Sequence, residues 1–339
     1  MIGPQGVITI GETEIQPGQR VTLDLAASKL YTHTDVTLPV HVIHGRKPGP
    51  RLFVCAAIHG DEIMGVEVIR RLLRLKVLER LRGTLIAMPV VNVFGFINQS
   101  RYSPDRRDLN RFFPGSEGGS LTSRLANLFV KEIVSKCTHG IDLHAGSNHR
   151  ENLPQIRAYL DDPETERLAR AFGAPVILDA NELAGSLRQT GKDMGIQMLL
   201  YEAGEVLRFD DIAIRAGIRG IISVMRATGM LQDSPHKKTS IKPVVSRSST
   251  WVRAPISGIL RTGARLGGRV SEGDVIGLIS DPFGETEEPV IANVSGIVIG
   301  RLNLPLVHEG DAIYHVARFE SRAEASSAIK GFRQEFEPE

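Results

Sequence analysis

Residues 1–50 alternate apolar and polar positions between glycine and proline turns, as in GVITIGETEIQPGQ and then VTLPVHVIHG. A period of two predicts β-hairpins that lead into a first central strand. From Arg51 the pattern changes. The unbroken apolar run Leu52–Ile58 (LFVCAAI) predicts a strand, and the amphipathic pattern after it predicts a helix through Glu79. Strand 83–91 then precedes a long loop, and helix 121–136 precedes strand 139–144. Helix 163–172, a strand near 176–178, strand 197–201 and a helix around 209–229 complete this part. Strands interleaved with helices imply an α/β fold with a mostly parallel or mixed central sheet covered on both faces.

The stretch 232–250 (QDSPHKKTSIKPVVSRSST) is polar, lacks helical period and predicts a linker. Beyond it the chain reads as all-β and glycine-rich, with an internal repeat. Ala254–Ile259 (APISGI) is echoed by Ala292–Ile297 (ANVSGI), and Val270–Asp274 (VSEGD) by Val307–Asp311 (VHEGD). Two similar halves predict a small pseudo-symmetric β-barrel over 251–322, followed by a C-terminal tail, 323–339, while 1–231 carries the N-terminal β segment and the α/β domain. The repeat region resembles a biotinyl/lipoyl-type domain. The lysine-bearing hairpin tip of that family is missing, so the resemblance implies a shape and not a carrier.

A length of 339 residues favours two domains, and a net charge of +2 with 42% apolar residues indicates neither disorder nor a membrane protein. No apolar run approaches the roughly 18–20 residues that span a bilayer. The first residues show no basic segment followed by an apolar one, so no signal peptide is expected. The two cysteines, Cys55 and Cys137, fall in apolar or helical patterns, which fits reduced, buried thiols and a cytoplasmic location. No basic face interleaved with aromatics suggests nucleic acid.

The chemistry gathers where strands end. His59-Gly-Asp-Glu62 follows the first strand, Asn110-Arg111 lie in the loop after the second, His144 ends Asp142-Leu143-His144, and Glu202 ends QMLLY. Ligands of open α/β sheets bind outside the carboxyl ends of the strands, so these groups should converge. A histidine and a glutamate three residues apart at a strand-to-helix turn, with a distant histidine as third ligand, suit zinc. Asp61 is read as the helix N-cap and Asp142 as an orienting partner of a ligand imidazole. Asp108 belongs either to a solvated charge run or to an ion pair with Arg111. His149 and Arg150 are read as surface loop, with a place at the pocket mouth as the alternative. His33, His41, His44, Tyr159 and Tyr201 are read as structural.

HGDE, then NVFGFINQSR (92–101), DLNR (108–111), DLH and a strand-terminal glutamate resemble, in this order, the succinylglutamate desuccinylase/aspartoacylase family. That family belongs to the wider zinc carboxypeptidase-like fold. The resemblance spans roughly 40–230 and implies zinc-dependent deacylation of a small, anionic N-acyl amino acid, N-acetyl or N-succinyl. It further implies His59, Glu62 and His144 as zinc ligands and Arg101 as the group polarising the acyl carbonyl. Asn110 and Arg111 become the substrate carboxylate clamp, Glu202 the general base, and Arg188, in Ser186-Leu187-Arg188, a contact for a substrate side chain. The loop GSNHRENLP (146–154) and the repeat-containing half resemble bacterial N-acetyl-diaminobutyrate deacetylases of ectoine catabolism. The chemistry agrees: three protein ligands leave a position for water, a carboxylate can move its proton, and a planar arginine fork holds a carboxylate. Two alternatives stay open: a metallocarboxypeptidase with the same ligands, and a non-enzymatic metal-site scaffold. Homo-oligomer formation is also left open.

Overall fold

The computed structural model describes residues 5–181, 183–233 and 242–336. The N-terminal segment forms the hairpin β1 (Ile8–Ile10) and β2 (Thr13–Ile15), then β3 (Arg20–Lys29) and β4 (Asp35–His44). The α/β part follows as β5 (Lys47–Ala56), α1 (Met64–Leu72), β6 (Arg82–Met88), α2 (Val93–Ile97), α3 (Leu121–Glu132) and β7 (His139–Gly146). It continues with β8 (Arg150–Ala158), α4 (Pro163–Phe172), β9 (Val176–Asp179), α5 (Leu187–Asp193), β10 (Gln197–Glu205) and α6 (Asp211–Ala227). The C-terminal part holds β11 (Val244–Ser246), β12 (Ser248–Arg253), β13 (Gly258–Thr262), β14 (Arg269–Val270) and β15 (Val275–Ser280). It ends with β16 (Glu287–Ile291), β17 (Gly296–Leu302), β18 (Leu306–Val307), β19 (Ala312–Arg318) and α7 (Arg322–Phe336).

Strands β6, β5, β7 and β10 run parallel at the centre of a mixed sheet, with β4 antiparallel beside β6 and β8 antiparallel beside β10. Alternation along β5 divides its side chains between two cores. Leu52, Val54 and Ala56 face α1, α4 and α6, while Phe53 and Cys55 face α3 and the N-terminal strands. A strand covered on both faces needs no polar position, which is why LFVCAAI reads as a continuous apolar run. On β7, Ile141, Leu143 and Ala145 fill the α1/α4/α6 core. With a side-chain period of two, Asp142 and His144 therefore point to the opposite face. Helix α1 lies close against the sheet at Gly65, where a Cβ would come within 2.6 Å of the Leu143 Cβ and 2.8 Å of the Ala56 Cβ.

The structure departs from the sequence reading in three places. The stretch 146–154, read as loop, instead runs into β8, which carries polar side chains on a wall of the pocket described below. The expected linker 232–250 lies partly outside the described residues, and its later part is strand: β11 pairs in parallel with β9, and β12 pairs with β19. The stretch 323–339, read as tail, is helical over its described part, within α7 (Arg322–Phe336), because Ala325, Ile329, Phe332 and Phe336 recur at helical spacing and are buried.

The repeat has a structural meaning. Ser257 accepts a hydrogen bond from the Glu309 N–H and Ser295 one from the Glu272 N–H, each at 2.9 Å, so each half ties down the other's turn. Asp274 and Asp311 hold those two turns from within by accepting from Ser271 and His308. The C-terminal strands surround their own apolar core, yet they are not detached, since β17 pairs antiparallel with β8 through Gly300↔Asn152. That pairing brings the C-terminal strands beside β8 in the same sheet.

Candidate metal centre and active site

The turn between β5 and α1 closes with the Glu62 N–H on the His59 carbonyl at 3.1 Å, which points both side chains the same way. His144 approaches from β7. The Nδ1 atoms of His59 and His144 each lie 2.7 Å from one oxygen of Glu62. Donor atoms of His59, Glu62 and His144 fall within 4.8 Å of one another, and all three residues are buried. The far ring nitrogens are held too: His59 Nε2 by Asp108 at 3.0 Å and His144 Nε2 by Asp142 at 2.7 Å. Carboxylates behind ligand imidazoles fix ring orientation and raise basicity.

This donor set fits a divalent cation. Two imidazole nitrogens and a carboxylate converge on one small region, with the imidazole and oxygen chemistry that zinc accepts. Glu62, Asp108 and Asp142 outnumber the single guanidinium of Arg101, so neutral imidazoles leave the cluster negative. Protonation follows that charge. Burial opposes a charged His144, but Asp142 and Glu62 outweigh it and hold the imidazole well above its usual value. Burial opposes the charge on His59 as well, and Glu62 and Asp108 prevail. Burial would raise Glu62, but the two imidazoles hold it well below the usual carboxylate range.

Glu202 comes from β10, whose parallel register sets it opposite His144. Neighbouring strands lie about 4.8 Å apart, so paired residues share a face and a locality. Its Oε1 accepts from the Asn152 amide at 2.9 Å, and the Arg157 Nε lies 3.3 Å from Oε2 as a charge contact. Both partners belong to β8, which sequence reasoning missed. Glu202 is not the only acidic group at this strand end. The strand runs on to Glu205, which is buried and engaged by His149 and Asn303.

The loop after β6 supplies the remaining groups. Arg101 donates to Glu62 at 3.1 Å and to Asp108 at 2.9 Å. Asp108 therefore serves His59 and Arg101, which makes it neither of the two alternatives read from the sequence, a solvated charge run or an ion pair with Arg111. Asn110 accepts from the Leu187 N–H at 2.9 Å through Oδ1, which leaves its amide N–H groups for a ligand. Arg111 donates to the Asn110 carbonyl at 2.6 Å and makes no ion pair among the described residues. Arg188 lies in α5, with its guanidinium on the carbonyls of Ala180 (3.1 Å) and Asn181 (3.2 Å). Arg107 points elsewhere, over the Phe112 ring. Asp61 is not the helix cap: α1 begins after Ile63, and the buried Asp61 Oδ1 has no hydrogen-bond partner.

These groups line one cavity of about 180 Å³. His59, Glu62, His144, Arg101, Asn110, Arg111, Arg188 and Glu202 all border it, so the structure brings every sequence-predicted site residue together. Arg150, Asn152, Arg157 and Trp251 border it as well. Trp251 belongs to β12, stacks on His315 at 4.4 Å and carries Arg150 over its ring at 5.2 Å. Nothing local to Trp251 announces a pocket residue; its position follows from the pairing of β17 with β8.

A model of the succinylglutamate desuccinylase/aspartoacylase catalytic domain matches residues 48–228. The N-alpha-acetyl-L-2,4-diaminobutyric acid deacetylase of Halomonas elongata is 29% identical over 294 residues, spanning 83% of this chain and 86% of that protein. A succinylglutamate desuccinylase/aspartoacylase from Rhodobacter sphaeroides superposes with a TM-score of 0.79 at 26% identity, covering 89% of this chain and 95% of that one. The product-bound ectoine utilization protein from Ruegeria pomeroyi shares the fold, with a TM-score of 0.80 at 24% identity over 88% of this chain and 95% of its own. The domain match takes in more than half of the 339 residues and contains each of the motifs that meet in the cavity, so the chain belongs to the succinylglutamate desuccinylase/aspartoacylase family.

Proposed function

We propose that the protein is a zinc-dependent amidohydrolase that deacylates a small N-acyl amino acid of the N-acetyl or N-succinyl type. Deacylation of N-acyl amino acids is the activity to which its relatives point. The observation that carries the reading is the register of β10 on β7, which puts the Glu202 carboxylate beside the His59–Glu62–His144 cluster. Zinc held by those three residues would supply a Lewis acid that acidifies water and polarises the acyl carbonyl.

The other roles fall to the chain's own groups. Glu202 accepts the proton of the attacking water and delivers it to the leaving nitrogen. Asn152 and Arg157 keep that carboxylate aimed. Arg101 donates toward the carbonyl oxygen as negative charge develops there. Arg111 and the free Asn110 amide hold the substrate carboxylate, and Arg188 lies where a side chain would reach. The small cavity and the Trp251 wall favour a compact substrate over a peptide, which sets this reading above a carboxypeptidase. A pure scaffold would need no carboxylate at position 202. In this reading residues 251–322 are a barrel-like unit that closes one side of the pocket, and the two buried free thiols support a cytoplasmic setting. Among the described residues, no helix is long and apolar enough to cross a membrane.

Glu202→Gln tests the assignment. The variant should bind zinc as wild type does, by metal content after gel filtration, and lose about 10²–10⁴-fold in kcat. Full activity would remove Glu202 from its role.

A further inference from the structure

The central sheet ends at β3, and among the described residues no strand pairs with the far side of β3. Its ten residues therefore leave a row of outward main-chain N–H and C=O groups, a template for another strand. Proteins blunt such edges with proline and with repelling charge. The edge strand β16 of the smaller sheet does so, with Pro289 beside Glu287 and Glu288. Strand β3 carries no proline, and its free charges, Asp24 and Lys29, are opposite in sign. Arg20 is engaged within its own chain, on the His41 ring and the Leu73 carbonyl.

The ladder with β4 shows which residues of β3 share a face. Asp24 stands opposite Pro39, Ala26 opposite Thr37 and Lys29 opposite Asp35, so all three point the same way. The bulge at Ala27 brings this about; in a regular strand Asp24 and Lys29 would point to opposite faces. All three are exposed. The Asp24 carboxylate has no hydrogen bond or ion pair among the described residues. Lys29 meets Asp35 at 3.4 Å with both side chains more than half exposed, so its ammonium is open to a second carboxylate.

This spacing is self-complementary. With a second copy antiparallel across a twofold axis at Ala26, the small methyl groups meet at the axis. Asp24 of each copy then faces Lys29 of the other, once on either side. One step outward the same register sets Leu23 against Leu30, and the next sets Thr22 against Tyr31. Leu30 and Tyr31 are exposed in the single chain, Tyr31 completely. Opposite charges and aromatic–β-branched pairs are the cross-strand contacts that stabilise sheets. One register thus matches the charges and covers the apolar residues together.

We propose that β3 is a self-association edge, through which a second copy of this chain continues the central sheet across a twofold axis at Ala26. Such a contact uses the same edge of both copies and closes, so it gives a dimer and not a fibre. It lies at the end of the sheet remote from β8 and the C-terminal strands, and it is independent of the chemistry in the cavity.

The test is sedimentation velocity of the full chain over a dilution series. Wild type should sediment as a dimer that dissociates on dilution. Asp24→Lys and Lys29→Asp each place like charges opposite one another twice, and each should raise the dissociation constant by about 10-fold or more. The double variant Asp24→Lys/Lys29→Asp restores opposite charges and should regain the dimer. Far-UV circular dichroism should be unchanged throughout, because both side chains are exposed. In wild type, hydrogen–deuterium exchange of β3 amides should slow as concentration rises. A monomer at every concentration would overturn the proposal, as would single variants that dimerise like wild type or a double variant as weak as the single ones. A dimer whose β3 amides exchange at a rate independent of concentration would place the contact on another surface and overturn it too.

Discussion

Replacing Arg111 by alanine should weaken the enzyme only toward substrates with a free α-carboxylate. Arg111 is exposed, forms no ion pair among the described residues and donates only to the carbonyl of its neighbour Asn110. Its removal therefore strands no buried carboxylate and opens no cavity in the core. What is lost is a two-pronged contact with the ligand. Charge-assisted hydrogen bonds contribute about 1.5–3 kcal/mol, which at about 1.4 kcal/mol per decade is roughly 10–150-fold in kcat/KM. The assay is a cycle of two proteins and two substrates: wild type and Arg111→Ala, each with an N-acetyl amino acid and its carboxamide. Wild type should prefer the acid by that factor, and the variant should treat both alike. Thermal melting without ligand should be nearly unchanged. Equal losses on acid and carboxamide would refute the clamp, because the variant would then have damaged the site in general.

Gly60→Ala should unfold the metal turn, since a Cβ at residue 60 would lie 1.9 Å from the Gly95 carbonyl carbon and 2.1 Å from the Phe96 nitrogen. Backbone on both sides cannot yield cheaply, so a loss of about 1–3 kcal/mol or more in urea unfolding, with weakened zinc retention, is expected. A variant with wild-type stability would show that the turn and α2 are not in contact. His315 gives a pH signature. Burial, aided by Arg157, pushes its pKa down to about 3, below the ordinary 6.5, so its stabilisation is complete above pH 6.5 and is lost as pH falls toward 3. At pH 5 that is about 2 kcal/mol. Urea midpoints of wild type should drop between pH 7.5 and 5 by more than those of His315→Gln; parallel profiles would exclude the buried neutral imidazole.

Much of the cavity lining is legible in the sequence because its residues stand at the ends of strongly patterned strands. LFVCAAI and the DLH strand announce themselves by apolar content, and the polar residues that break each run are the ones that reach the cavity. The far wall was not legible. Strand β8 (RENLPQIRA) mixes buried Asn152 and Gln155 with Leu153 and Ile156, so no apolar period marks it, and its polar positions look like loop. Asn152 and Arg157, the partners of Glu202, were missed with it, and Arg150 was read as surface loop. The short strand Val244–Ser246 exists because β9 offers an unpaired edge, a tertiary fact that a polar segment does not display. Asp61 misled for a different reason. Its position before a helical pattern suits a cap, but the turn that orients His59 and Glu62 delays the helix to Met64. Helix α7, by contrast, shows its apolar spacing in the sequence and could have been found.

The central claim is metal-dependent deacylation at the His59–Glu62–His144 cluster. Its most direct measurement is turnover of N-acetyl and N-succinyl amino acids by protein stripped with chelator, verified metal-free, and then titrated with zinc. Activity should be absent in the stripped protein and should return in proportion to zinc up to one equivalent. Unchanged hydrolysis by the verified metal-free protein would contradict the account.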